Sequence, residues 1–279
     1  MSAERSRPPA PRTAQAALWG TLFLLYVPLA VMFASSLLEK SGDGLSWTLR
    51  WFAEVFADHA LMEALQNSFF VAVVASLLST VLGTLGALGL RHNPRPWRWT
   101  VEGFSVVSLI FPEIVFALSL LSWFFIVQMP LGLTTVVIAH VTFSVSYVLM
   151  TVSARLAGLD PSLEDAARDL GASEWQVQKT VVLPLLLPAI GGGFILSFLL
   201  SFDDFLITYF VNGVGQDTLP VKLYTAMKIG VTPKLHALST LMFLWTLFIL
   251  IFFFRSPAFR VLFEGGRGRN ESDTEKTNL

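Results

Sequence analysis

The amino-acid sequence reads as an all-α polytopic membrane protein with six transmembrane helices. Three features point there. Of 279 residues, 54% are hydrophobic and 14% charged, against roughly 25% charged in an average soluble domain. Mean hydropathy is +0.64, and the apolar residues gather into six runs long enough to cross a hydrocarbon core about 30 Å thick. The basic residues then sort by side. Of 19 Lys and Arg, only Lys40, Arg50, Lys222, Lys228 and Lys234 fall in the segments away from the termini. The positive-inside rule therefore predicts that both termini are cytoplasmic. A net charge of -1 carries no argument for nucleic acid, and the absence of cysteine excludes disulfides and thiolate metal sites.

Residues 1–16, with Arg5, Arg7 and Arg12, are expected to form a cytoplasmic tail. The first span, about 17–38, exceeds the apolar core of a signal peptide and is read as an uncleaved anchor. Residues 39–66 form a polar outside segment in which Trp47, Trp51, Phe52, Val55 and Phe56 recur at near-helical spacing, predicting a helix in the membrane interface. Asn67 and Ser68 open the second span, about 68–90, whose Gly83, Gly86 and Gly89 offer a face for close helix packing. A short basic loop, 91–99, precedes the third span at about 103–127, which contains Pro112 and Glu113. After a turn at Met129 to Gly132 the fourth span runs over about 133–153, the fifth over about 185–211 and the sixth over about 236–254. Residues 212–235 are read as an outside loop and 255–279 as a basic cytoplasmic tail.

The longest polar helical stretch lies between spans four and five, at 160–184. Asp160 is a good N-cap, Pro161 suits the first turn, and Glu164 with Asp165 place negative charge where the helix dipole favours it. Gly171 is expected to end this helix. Ser173 and Gln176 have the form of a capping box for a second short helix that Pro184 stops. Leu163, Ala166, Ala167 and Leu170 share one face, a small apolar knob suited to a groove on another protein. An amphipathic linker helix or a soluble helix-turn-helix module is the alternative.

Asp165-Ala166-Ala167, Gly171 and Ala172, Val181 and Leu183-Pro184 resemble the cytoplasmic "EAA" loop of bacterial ABC-importer permeases, with Asp for its Glu and Val for its Ile. The resemblance implies a type I importer architecture in the bacterial inner membrane, with the loop as the coupling helix that docks on a separate ATPase. Residues 199–205, 219–224 and 228–233 are similar to the polyamine (spermidine/putrescine) branch of that family. This likeness implies a second permease subunit, paired cytoplasmic ABC ATPase subunits, a periplasmic substrate-binding protein and a polyamine as solute. A permease of the same build for an amino acid, a metal chelate or an oxyanion is the alternative.

Ionisable groups inside spans carry the chemistry, because an unpaired charge in hydrocarbon costs at least about 2.5 kcal/mol. They are Glu113, His140, Asp203 and Asp204. At about 1.5 Å per residue, Asp203 lies about 24 Å and Glu113 about 15 Å along their spans. Such carboxylates are placed to line a cavity that opens outward and selects cations. If 203 and 204 sit on a continuous helix they point about 100° apart, and only one of them faces the path. Ending the span among headgroups is the alternative for both, opposed by the apolar run from Phe205 to Val211. His140 is expected to be satisfied by a neighbouring helix, and Tyr147 and Trp123 to wall the path. The groups are expected at different depths, which argues against an intramembrane enzyme. No phosphate-binding loop exists, since Gly191-Gly192-Gly193 is followed by Phe and Ile. No metal-ligand spacing occurs either. No catalytic residue, metal or cofactor is expected, and ATP hydrolysis is left to partner subunits.

Overall fold

A computed structural model describes residues 12–41, 44–91 and 95–255. The expected tails, 1–16 and 255–279, fall outside these residues except at 12–16 and Arg255, which belong to helices. The chain divides into two compact units, Met1–Asp58 with Thr225–Leu244, and His59–Tyr224 with Trp245–Leu279.

In the first unit, helix α1 (Arg12–Leu37) is apolar along its length, and Ser36 is its one buried residue. The outside segment is less regular than periodicity suggested. Strands β1 (Leu38–Ser41) and β2 (Gly44–Trp47) pair antiparallel, and only then does α2 (Arg50–Ala57) form. Trp47 therefore sits on a strand, whereas Trp51, Phe52, Val55 and Phe56 share α2 as expected. The Trp51 indole donates to the Leu38 carbonyl at 3.1 Å, and Arg50 bridges Glu39 (2.9 Å) and Glu54 (2.8 Å). Lys234 reaches Asp58 at 2.7 Å.

The second unit is built on α3 (His59–Arg91), α6 (Leu133–Ala157) and α9 (Leu183–Phe202). Helix α3 begins nine residues before Ser68, so Asn67 and Ser68 lie inside it. They hold a later segment of the chain, Asn67 donating to the Asp217 carbonyl at 3.1 Å and Ser68 accepting from the Leu219 amide at 2.8 Å. Small residues decide how closely the helices meet: a Cβ on Gly83 would lie 2.7 Å from Val148 Cβ, whereas one on Gly89 meets nothing. The glycine face thus packs at Gly83 and is idle at Gly89. Where dispersion replaces the hydrophobic effect, such close approach is what holds helices together.

Two expected spans are broken. The third is α4 (Arg95–Ile110) and α5 (Glu113–Ile126), bent by 108° at Phe111 and Pro112. Proline lacks the donor and biases its predecessor out of the helix, which ends α4. The fifth ends as α9 at Phe202 and resumes after Asp203–Phe205 as α10 (Leu206–Val211). Among the described residues, five helices are long and apolar enough to cross a membrane, or six when the bent pair counts as one. Residues 212–235 include helix α11 (Leu219–Ile229), and α12 (Pro233–Arg255) starts three residues before the expected sixth span.

The polar loop forms α7 (Ser162–Asp169) and α8 (Glu174–Val177). Asp160 accepts from the Ser162 amide at 2.9 Å, and Ser173 with Gln176 makes the capping box. Gly171, at φ +86°, turns the chain after α7. Pro184 does not stop the second helix. A π-helical turn, Gln178–Val182, joins α8 to α9 without a break. The wider turn accommodates a proline ring and its missing donor.

Candidate functional site: an acidic cavity and a polar knob

The two helix breaks and α6 meet around one cavity of about 700 Å³, lined among others by Glu113, His140, Tyr147, Ser201, Asp203, Asp204 and Phe205. Its geometry follows from the breaks. Asp204 accepts from the amides of Thr208 (2.8 Å) and Ile207 (3.3 Å), supplying the acceptor that the opening turn of α10 lacks. The Thr208 hydroxyl donates to the same carboxylate at 2.8 Å.

His140, 2% exposed, ties this break to α6. Nε2 lies 3.1 Å from Asp204 Oδ2 and 3.0 Å from Thr208 Oγ1, and Nδ1 lies 2.7 Å from Ser201 Oγ. The carboxylate assigns the ring hydrogen to Nε2 and leaves Nδ1 to accept from the Ser201 hydroxyl. The expectation that a neighbouring helix satisfies His140 therefore holds.

The expected separation in depth does not. Glu113, His140 and Asp204 converge on one cavity. Counting residues along uninterrupted helices missed this, because a 108° bend resets the depth of everything after it. Because residues 203–205 leave the helix, both Asp203 and Asp204 line the cavity, contrary to the 100° argument. Asp203 also accepts from Thr246 of α12 at 3.4 Å. The headgroup reading fails for Asp204, whose side chain is 6% exposed.

Tyr147 lines the cavity and packs edge-on against Phe143 at 5.0 Å. Trp123 does not: it is half exposed, three turns along α5 from Glu113, against Phe124. Sequence reasoning overlooked Ser201, Thr208 and Phe205. The i,i+4 spacing of Asp204 and Thr208 was the available signal.

The knob is built differently. Ala167 and Ala172 pack against a core of Ala87, Val148, Val152, Leu156, Val177, Val182 and Leu186. Leu163, Leu170 and Trp175 stay exposed. Ala167 thus leaves the expected free apolar face, and Trp175 of α8 is a further exposed apolar side chain. Arg168 gathers Glu174 (2.6 Å), Asp165 (2.9 Å) and Glu164 (3.4 Å). Its hydrogen bond to Glu174, before the others, holds the guanidinium above its ordinary range. Glu164 is the buried residue of α7 and pairs with Arg91. Leu183 and Pro184 open α9.

Membrane-length helices broken at an acid-lined cavity, with a polar knob between two of them, define a multi-pass membrane transport subunit. Residues 79–264 match the family model described as "Binding-protein-dependent transport system inner membrane component", and the chain belongs to that family. It is 36% identical over 230 residues to the spermidine/putrescine transport system permease protein PotC of Haemophilus influenzae, covering 81% of this chain and 89% of that one. It is 36% identical over 228 residues to the putrescine transport system permease protein PotI of Escherichia coli K12, covering 78% and 80%. Among solved structures, a bacterial ABC transporter involved in the import of the acidic polysaccharide alginate aligns with TM-score 0.64 and 17% identity over 88% of this chain and 96% of that one.

Proposed function

We propose that this chain is the permease subunit of an ATP-driven importer that carries polyamines such as spermidine and putrescine across the bacterial inner membrane. The observation that carries the reading is the convergence of Glu113, Asp203 and Asp204 with Tyr147 and Phe205 in one cavity. Like charges at close range repel, and a cation placed between them relieves the repulsion. Aromatic faces add cation–π attraction for an ammonium group. The identity to permeases named for spermidine and putrescine supports the same solute class.

In this reading residues 17–254 form the permease domain, with both termini and the 160–184 loop cytoplasmic and the tails at 1–16 and 255–279. A second permease encloses the path with this one, and a periplasmic binding protein delivers the solute. Paired cytoplasmic ATPases dock on the face of Leu163, Ala166, Leu170 and Trp175. Around it, Glu164, Asp165, Ala167, Gly171, Ala172, Leu183 and Pro184 give the knob its shape and stiffness. ATP-driven closure moves α7, and the helices tilt to expose the cavity to the other side by alternating access. Energy comes from the partners, since this chain carries no phosphate-binding loop.

The test is polyamine-stimulated ATP hydrolysis by the complex that copurifies with this chain. Stimulation by spermidine or putrescine is expected. Stimulation by an amino acid, an oxyanion or a metal chelate, with none by polyamines, would contradict the solute assignment.

A further inference from the structure

We infer that the buried ion pair between Arg91 and Glu164 is a strut that carries motion of the knob into α3, so that the knob drives α3 and α9 together. The inference rests on the coupling role proposed above and adds a route to it. Helix α7 is joined through the chain to α8, the π turn and α9. Its chain connection to α3 is remote, because α4, α5 and α6 intervene. Two contacts bridge this gap, the packing of Ala167 on the core that includes Ala87 of α3 and a polar one. Arg91 closes the last turn of α3 and Glu164 lies in the first turn of α7, with side chains 22% and 7% exposed.

Three observations give the pair a mechanical character. First, it is largely removed from water. Exposed ion pairs exchange partners with solvent and contribute little, whereas separating a buried pair leaves a charge that nothing solvates. Such a contact resists being pulled apart, while the apolar packing beside it, Ala167 on the core that includes Ala87 of α3, can slide. Second, Glu164 is held on its other side: its Oε2 meets Arg168 at 3.4 Å, and Arg168 grips Glu174 at the start of α8 at 2.6 Å. A continuous line of charge runs from α3 through α7 to α8. Third, the face of α7 bearing Glu164 is turned inward, while Leu163 on the same helix and Leu170 just past its end stay exposed. One helix thus presents a bare apolar surface to the outside and a charged anchor to the inside.

The experiment uses the complete complex of this chain with the second permease, the ATPases and the binding protein, reconstituted in nanodiscs. Glu164→Gln and Arg91→Gln should leave the ATPases bound at the wild-type ratio and lower stimulated hydrolysis about fivefold or more. The reversed pair, Arg91→Glu with Glu164→Arg, should recover most of it. Arg91→Lys, which keeps the charge, should stay near wild type and serves if Arg91→Gln does not assemble.

Because the chain contains no cysteine, spin labels can be placed singly at Leu85→Cys on α3 and Leu187→Cys on α9, both exposed positions. The distance between them should stay constant through the ATP cycle with the strut intact. It should change in Glu164→Gln, as α9 shifts against α3 at the end that the strut no longer ties. Single variants that keep full stimulation and a constant distance, that lose the ATPases, or that the reversed pair fails to rescue would overturn the strut. The distance needs ATP but no solute, so a complex that polyamines fail to stimulate would refute the solute assignment and leave the strut to be judged on the labels.

Discussion

The cavity and the knob both concentrate polar groups in an apolar chain and pair them, and they differ in the apolar side chains around those groups. At the cavity His140 and Asp204 use their capacity on one another and on Ser201, Thr208 and Ile207. At the knob the charges are likewise paired, by Arg168 and Arg91, but the apolar side chains are bare: Leu170 is 90% exposed and Trp175 74%. The difference teaches that polar satisfaction shapes a site for a small cation in one place. In the other it shapes a rigid platform whose apolar surface is offered to a larger partner.

The largest effect is expected from deforming the platform while leaving the cavity alone. Gly171 adopts φ +86° with open space where a Cβ would stand, so the constraint there is the backbone itself. Proline, locked near φ of about −65°, cannot take that shape. Gly171→Pro should lower stimulated ATP hydrolysis by about tenfold or more, with membrane insertion intact by protease protection.

Leu170→Asp asks whether the bare face is an interface. Losing one buried leucine, about 1.5–3 kcal/mol, should weaken ATPase binding roughly 10- to 100-fold by pull-down titration. The stability of the isolated subunit should stay within about 0.5 kcal/mol, because the side chain is exposed there.

The cavity is sharpened by contrasting its two adjacent acids. Asp204→Asn weakens charged hydrogen bonds to α10 and to His140, and should cost about 1.5–3 kcal/mol of stability, read by thermal unfolding in detergent. Asp203→Asn should leave unfolding unchanged and raise the KM for uptake severalfold. Equal unfolding for both would remove the capping role from Asp204. The smallest expected effect is Gly83→Ala, whose methyl would meet Val148 at 2.7 Å. Overpacking of that kind costs about 1–3 kcal/mol, read as a lower unfolding temperature with ATPase binding retained.

Much of this architecture is written in composition and spacing. The apolar runs mark the crossings, and the capping box at Ser173 and Gln176 and the turn at Gly171 stand where local chemistry puts them. What eluded the sequence shares one cause. Hydropathy reports whether a segment prefers lipid, and it is blind to whether the helix through that segment is continuous. Pro112 was visible, but a proline inside a span can kink it slightly or bend it by 108°, and the choice depends on packing of α5 against α10 and α6. The break at Asp203–Phe205 has no proline at all. It is made possible by Asp204 capping the next helix, a contact legible only once Thr208 and His140 are placed. Pro184 misled in the reverse direction, since a π turn absorbs it. Trp123 was chosen for its type, and three turns of helix carry it away from Glu113. The burial of Glu164 was equally hidden, because its partner Arg91 lies in another loop of the sequence.

Transport through this cavity requires that its acids meet the transported cation. Uptake of labelled putrescine into proteoliposomes holding the complete complex, compared between wild type and Glu113→Gln with Asp203→Asn, measures that. Loss of most uptake, with the ATPases still bound and basal hydrolysis unchanged, is the predicted result. Wild-type uptake by the doubly neutralised cavity would contradict it.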